Sequence, residues 1–519
     1  MHTTRSPFAL FAVLLGAATS CTLSDPPDFS TASSLGPIAI GDHLVLGDAD
    51  SNALVILDVA DGALVATRRV PLSGSPSLVT AVPGGTGALV LSRDERTLDI
   101  VATDARSKDH VSVALGAPFE GLAVSPDGDI AIAYYPPGTA NAVFHNENEI
   151  AVVDLASAAS GNPDEAVTRR TIASLGGAPI AIQISPRVAN RRFAFVLSDE
   201  HVAVVALDDP QMAELSVPLV SLTTGGNRTP TGVVFAADAE TLWAIVSTQE
   251  ASSVYALAVV PALPSNADGP NAADFDVRLS QLAGASPGGA ATLTTLGPAH
   301  TLYTLTTSPA AGTLTLTDVA TATGRSLVIQ AGVDRLLLFD GEAGAPMALT
   351  WSSRNGYVFN VVDLERMAAG ANKAFETRTA GEHFSTLLPI PATSRFIALH
   401  DSADEGVSVI DAATSRVTGF GRTGNVIDLQ LSESLDRLFL LTRLGLDDFI
   451  VSVDLATLHP EVARVPESAN ALAVLPGVAT VAAISYREGG RVTLWPALAT
   501  ADDKTRVISG FLLEGLFQR

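Results

Sequence analysis

The sequence predicts an all-β protein built from one repeated unit, and three observations carry that prediction. Short runs of Val, Leu, Ile and Thr recur along the chain, with turns of Gly, Pro, Asp, Asn and Ser between them. Many runs are continuously apolar instead of alternating, the pattern of strands buried on both faces. An aspartate closes the third run of nearly every unit: Asp58, Asp104, Asp154, Asp208, Asp318, Asp363, Asp411 and Asp454. Their intervals are about 43 to 55 residues, with one unit skipped. Four short strands at such a period predict a β-propeller, whose four-stranded blades pack face to face around an axis. About ten units occur, and a single ring is expected. The first unit lacks an obvious inner strand, and FLLEGLF (511–517) is expected to supply it and join the chain ends.

The elements follow in chain order. Residues 1–20 carry Arg5, an apolar stretch of about a dozen residues from Pro7 to Ala18, and then small residues, the layout of a signal peptide. That stretch is shorter than the roughly 20 residues a membrane span needs. Cys21 follows directly and is the one cysteine of the chain, so an internal disulfide or a Cys-based metal cluster is excluded. The segment resembles a bacterial lipoprotein signal. The resemblance implies lipidation of Cys21 and, with Thr22 next to it, the outer membrane of the cell envelope as the destination. Ordinary secretion with cleavage nearby is the other reading. Residues 21–36, rich in Ser, Thr, Pro and Asp, read as a tether, and 37–519 as the propeller domain.

Within that domain, GLAVSPDGDIAIAY (121–134) and NEIAVVDLASA (148–158) spell out three strands of one unit, and residues 426–458 those of another. The closing aspartates are expected to accept a hydrogen bond from a backbone N–H two residues on and so shape the turn to the fourth strand. The stretch 261–289 reads as a long insertion within one blade, and 364–375 as the one short helix, weakened by Gly370. Around Pro476 and Gly477 an apolar stretch splits into two strands joined by a turn. Trp243, Trp351 and Trp495 lie on or beside strands, where core packing accounts for them. Residues 406–420 (GVSVIDAATSRVTGF) and 121–134 resemble YVTN-type propeller repeats, also found in lactonase-like propellers. The resemblance implies the fold over most of 37–510 and little about activity, since propellers host many unrelated functions.

Composition narrows the function. Hydrophobic residues at 47% against charged ones at 17% exclude a disordered chain. A formal charge of -24 argues against nucleic acid as a partner, because binding it needs a basic surface. The loops between second and third strands are acidic: Asp48 and Asp50, Asp94 and Glu95, Glu147 and Glu149, Asp199 and Glu200, then Asp401, Asp404 and Glu405, and finally Asp447 and Asp448. Such a face would attract cations or a basic partner, while the plainer reading is solvated hairpins.

Two metal patterns were weighed. Asp48, Asp50 and Asn52 have the alternate spacing of a calcium loop, but Ala53 and Val59 replace the glycine and glutamate such a loop needs. His145, Glu147, Glu149, Asp199, Glu200 and His201 fall on comparable loops of adjacent units and offer imidazole and carboxylate ligands. His400 lies several blades away from them. Gly284-Ala285-Ser286-Pro287-Gly288 fits a nucleophile elbow in letters, yet Pro287 has no N–H for an oxyanion hole. No P-loop, Rossmann fingerprint or HExxH occurs.

No catalytic residue and no cofactor is therefore predicted. The leading expectation is a monomeric, lipid-anchored envelope module that binds a protein or another envelope component. The alternative is a lactonase-like hydrolase with a metal or acid/His site in the channel, where Asp428 is a charged residue on a predicted inner strand.

Overall fold

The computed structural model describes residues 34–511, with interruptions in connecting loops, among them 104–109, 138–144, 173–177, 261–274, 283–290 and 401–405. Forty strands form ten antiparallel sheets of four, each made of four consecutive strands. The first blade runs from the inner strand Ser34–Ile40 through His43–Asp48 and Ala53–Ala60 to the outermost Ala63–Pro71. The other nine repeat this order. Antiparallel succession puts the second-to-third hairpins and the links between blades on one face, here the hairpin face, and the remaining turns on the other.

The apolar runs owe their character to this stacking. In the fourth blade, Phe193–Leu197 and His201–Ala206 are buried at every position, because each side of a middle strand meets a sheet. Among the described residues, ten apolar clusters each span one pair of neighbouring blades. Leu54 and Val70 of the first blade meet Val90 and Val101 of the second. Phe195 and Val204 of the fourth meet Val246 and Tyr255 of the fifth. The series ends where Leu44 and Val55 of the first blade meet Leu475, Val492 and Leu494 of the tenth. An unbroken succession of seams that returns to its start is a single ring. Each large aliphatic side chain so buried stabilises it by about 1.5–3 kcal/mol.

Ring closure differs from the expectation. The inner place of the first blade is filled by Ser34–Ile40, whose first residues lie inside the predicted tether. Gly36 and Pro37 break up its apolar pattern, which is why the strand escaped notice. Of the C-terminal segment, Phe511 packs into the seam between the tenth and first blades, and its carbonyl accepts a 2.9 Å hydrogen bond from Arg69. Residues 512–517 lie outside the described residues. Closure therefore rests on packing and on close polar contacts. The Gly62 N–H donates to Thr480 Oγ1 at 3.0 Å, and a Cβ at Gly62 (φ +68°) would stand 2.5 Å from Pro496.

Three further readings are refined. The stretch 261–289 contains the outermost strand of the fifth blade, Asp276–Leu282, while its flanks lie outside the described residues. The helix within 364–375 is one turn, Leu364–Ala368, and a second, Leu155–Ala159, follows Asp154. The closing aspartates do shape turns, but mainly through the N–H three residues on: Asp154 to Ser157 (2.9 Å), Asp318 to Thr321 (2.8 Å), Asp363 to Arg366 (2.9 Å) and Asp454 to Thr457 (2.8 Å). Two of these carboxylates are helix N-caps. Asp104 lies outside the described residues. Trp351 and Trp495 are buried in seams and Trp243 packs against one, in line with core packing.

Candidate functional site on the hairpin face

The eighth and ninth blades part slightly at the hairpin face. Their inner strands, Phe384–Pro389 and Asn425–Ser432, both carry a register break there, between Phe384 and Thr386 and between Val426 and Asp428. An extra residue bends a strand away from its partner and re-aims its side chains, so bulges often border binding sites. Between the two lies a cavity of about 340 Å³ lined by Ser385, Thr386, Leu399, His400, Gly406, Gly424, Asn425 and Val426. That is the lower end of the size range of small-molecule sites. Its wall carries hydroxyl, amide and imidazole groups and no carboxylate or guanidinium.

His400, at the end of the second strand of the eighth blade, is held at both ring nitrogens. Nδ1 is 2.9 Å from the His383 carbonyl, and Nε2 is 2.7 Å from the Ser408 hydroxyl. A carbonyl only accepts, so Nδ1 carries the proton and Nε2 accepts from Ser408. This is the tautomer of a base acting on a serine. Ser408, however, is buried, and it is not among the residues bordering the cavity. His383 in turn donates from Nε2 to the Arg354 carbonyl at 3.2 Å and packs edge-on against Tyr357, an exposed residue of the seventh blade.

Beside the cavity stands the second-to-third hairpin of the ninth blade, whose Arg443 pairs with the cavity residue Asn425. Leu444 faces Asp447 across a two-residue turn, Gly445-Leu446. Gly445 has φ +66°, the conformation that a II′ turn requires at its first central position. Arg443 grips Asp448 with two bonds of 2.6 and 2.8 Å, and Asp448 also accepts from the Ala469 N–H at 2.8 Å. Asp447 pairs with Arg464 of the neighbouring strand. The braced turn presents Leu446 at 97% exposure. Gly424 is needed where the chain enters this blade: with φ +76°, a Cβ there would lie 2.4 Å from the Arg443 carbonyl.

Asp428 lies deeper, on the inner strand of the ninth blade, fully buried. Its oxygens accept from the N–H of Leu429 and of Leu472, both at 2.7 Å, the second belonging to the inner strand of the tenth blade. Burial pushes its carboxyl up to about 6 and outweighs the two N–H donors, which act the other way. Gln430 continues the seam by accepting from the Val474 N–H at 2.9 Å, as Gln183 does from Val233 at 2.8 Å between the fourth and fifth blades.

The other residues singled out from sequence are scattered around the ring. Asp48 is buried, and its oxygens are taken by Ser51 and Arg69, while Asp50 is exposed. The His145 ring stacks on Tyr135 at a centroid distance of 4.0 Å, Glu149 accepts from Arg169 at 2.8 Å, and His201 is buried. Glu147 and Asp199 are exposed. Among the described residues, no group of three or more His, Cys, Asp and Glu side chains is placed to hold a metal. Cys21, Glu200, Asp401, Asp404, Glu405 and the 284–288 segment lie outside the described residues. Among those described, no helix is long and apolar enough to cross a membrane. Sequence reasoning missed the cavity, Ser408 and the braced leucine. The Leu-Gly-Leu-Asp-Asp string between two apolar runs was the available signal for the last of these.

No family model and no curated protein matches the chain. Solved structures with a similar fold include the dihydro-heme d1 dehydrogenase NirN in complex with DHE, at 14% identity and a TM-score of 0.42, covering 86% of this chain and 78% of that one. The Dos1 propeller follows at 11% identity and 0.39, covering 73% and 93%. Apo AztD from Citrobacter koseri is similar at 11% and 0.34, covering 74% and 99%. The ten closed sheets themselves establish this chain as a β-propeller.

Proposed function

We propose that the chain is a non-catalytic binding or scaffold module of the bacterial cell envelope, tethered through Cys21, with the hairpin face of the eighth and ninth blades as its recognition surface. The braced turn supports this most directly. Two arginine–carboxylate pairs hold a two-residue hairpin whose apolar tip buries nothing of its own chain. A rigid apolar projection beside a neutral cavity loses little conformational entropy on binding, the property of an anchor residue at a protein interface. The test compares wild type with Leu446→Asp in a pull-down from solubilised envelope. A partner recovered reproducibly by the first and lost by the second supports the reading; identical recovery by both counts against it.

The alternative, a lactonase-like hydrolase, draws on the His400–Ser408 bond at 2.7 Å. Ester and lactone turnover that persists with chelator and disappears in Ser408→Ala would reverse the ranking.

A further inference from the structure

The ring carries an exposed apolar crescent that neither its core nor the hairpin face uses. Val417, Val462, Val507 and Val65 are between 38% and 69% exposed. Each falls within the first three residues of an outermost strand: Arg416–Gly419, Pro460–Val465, Arg506–Ser509 and Ala63–Pro71. These strands belong to the eighth, ninth, tenth and first blades, four in succession through the closure. Strand starts of this kind lie on the rim at the face opposite the hairpins. Leu498, 58% exposed in the turn before the last of these strands in the tenth blade, adds to the same arc. Exposed aliphatics on other outer strands sit elsewhere: Leu279 in mid-strand, Val328 near the far end. Arg416 and Arg506, next to Val417 and Val507, are exposed and have no carboxylate partner among the described residues.

We infer that this crescent rests on a phospholipid bilayer bearing anionic headgroups. A convex arc of separated valines does not fit a concave protein pocket, but it fits a deformable apolar boundary. The two arginines can keep their charge among phosphates while their stems cover apolar surface. The first blade is also where the chain enters the ring. Cys21 lies 13 residues before Ser34 (34 minus 21), a span of about 40 Å when extended. That is enough to pass from the hairpin face over the rim. The inference extends the envelope reading above but does not need Cys21 to be lipidated.

The test uses the full chain with Cys21→Ser, which removes the one natural thiol. Single cysteines at Val417, Val462 or Val507, with Leu279 and Val328 as control positions, receive an environment-sensitive fluorophore. Vesicles of phosphatidylethanolamine with phosphatidylglycerol are compared with phosphatidylcholine alone. Emission should shift to the blue at the three crescent positions in the anionic vesicles and stay unchanged at the controls. Replacing Arg416 and Arg506 by Ala should weaken vesicle binding about fivefold per arginine. Crescent labels that report water while the chain sediments with vesicles would overturn the inference, and so would failure to sediment. A blue shift already present without vesicles would also overturn it, since another protein surface would then cover the arc. Because each label reports its own position, an unlipidated Cys21 or a missing hairpin-face partner leaves the result unchanged.

Discussion

Replacing Asp428 by Asn separates the two opposing contributions of that carboxyl. Its pKa rises from 3.8 to about 6, so the folded chain holds the proton more tightly than the unfolded one. The stabilisation from this linkage is therefore complete below about pH 4 and is lost as pH rises through 6. About two pKa units correspond to ~3 kcal/mol. Asn carries no charge, so it has no such pH dependence. Its single oxygen can serve one of the two N–H donors, while its NH₂ faces the other, at a cost of about 1–3 kcal/mol. Equilibrium urea unfolding at pH 4 and pH 7 should show Asp428→Asn less stable than wild type at the lower pH. The gap should close or reverse at pH 7. An equal gap at both values would refute the idea that burial, and not the N–H donors, governs this group.

Other substitutions test the frame. Arg443→Met leaves Asp448 buried without its cation and should lower stability by about 3 kcal/mol, with part recovered in the double variant Arg443→Met/Asp448→Leu; urea midpoints decide it. Gly62→Ala meets both a left-handed φ and Pro496. It should cost at least about 1–2 kcal/mol and speed amide exchange along the seam of the first and tenth blades. Asp154→Ala removes the cap on Ser157 and should cost about 1 kcal/mol, read as a lowered unfolding midpoint.

The parts of the fold that repeat locally were legible in the sequence. Asp154, Asp318, Asp363 and Asp454 mark the same turn because each bonds within three residues, so every unit carries its own copy of the signal. Phe193–Leu197 reads as buried because nothing polar interrupts it. The ring closure was not legible in this way. Gly62 and Thr480 are 418 positions apart, and no periodicity marks them as neighbours. Ser34–Ile40 was hidden by Gly36-Pro37, residues that ordinarily argue against a strand. The candidate site failed to show for a related reason. His383, His400 and Ser408 converge from two strands and a link, and what opens the cavity is a pair of bulges, each one unpaired residue. The acidic loops gave a false emphasis. Asp48 and Asp448 look solvent-facing by position, yet each turns inward to an arginine four-fifths of a hairpin away or less, because burying the pair frees the turn tip.

Every described sheet is woven from one uninterrupted stretch of chain, so the ends are not locked by a shared blade. A blade is therefore a transferable cassette. Duplicating one, or cutting a link and rejoining the original termini, leaves all hydrogen-bonded ladders intact and changes only the seams. Lineages that fasten the ring with a strand borrowed across the termini lack that freedom. Here the circumference can grow by whole units, which gives a physical route to a ring of this size.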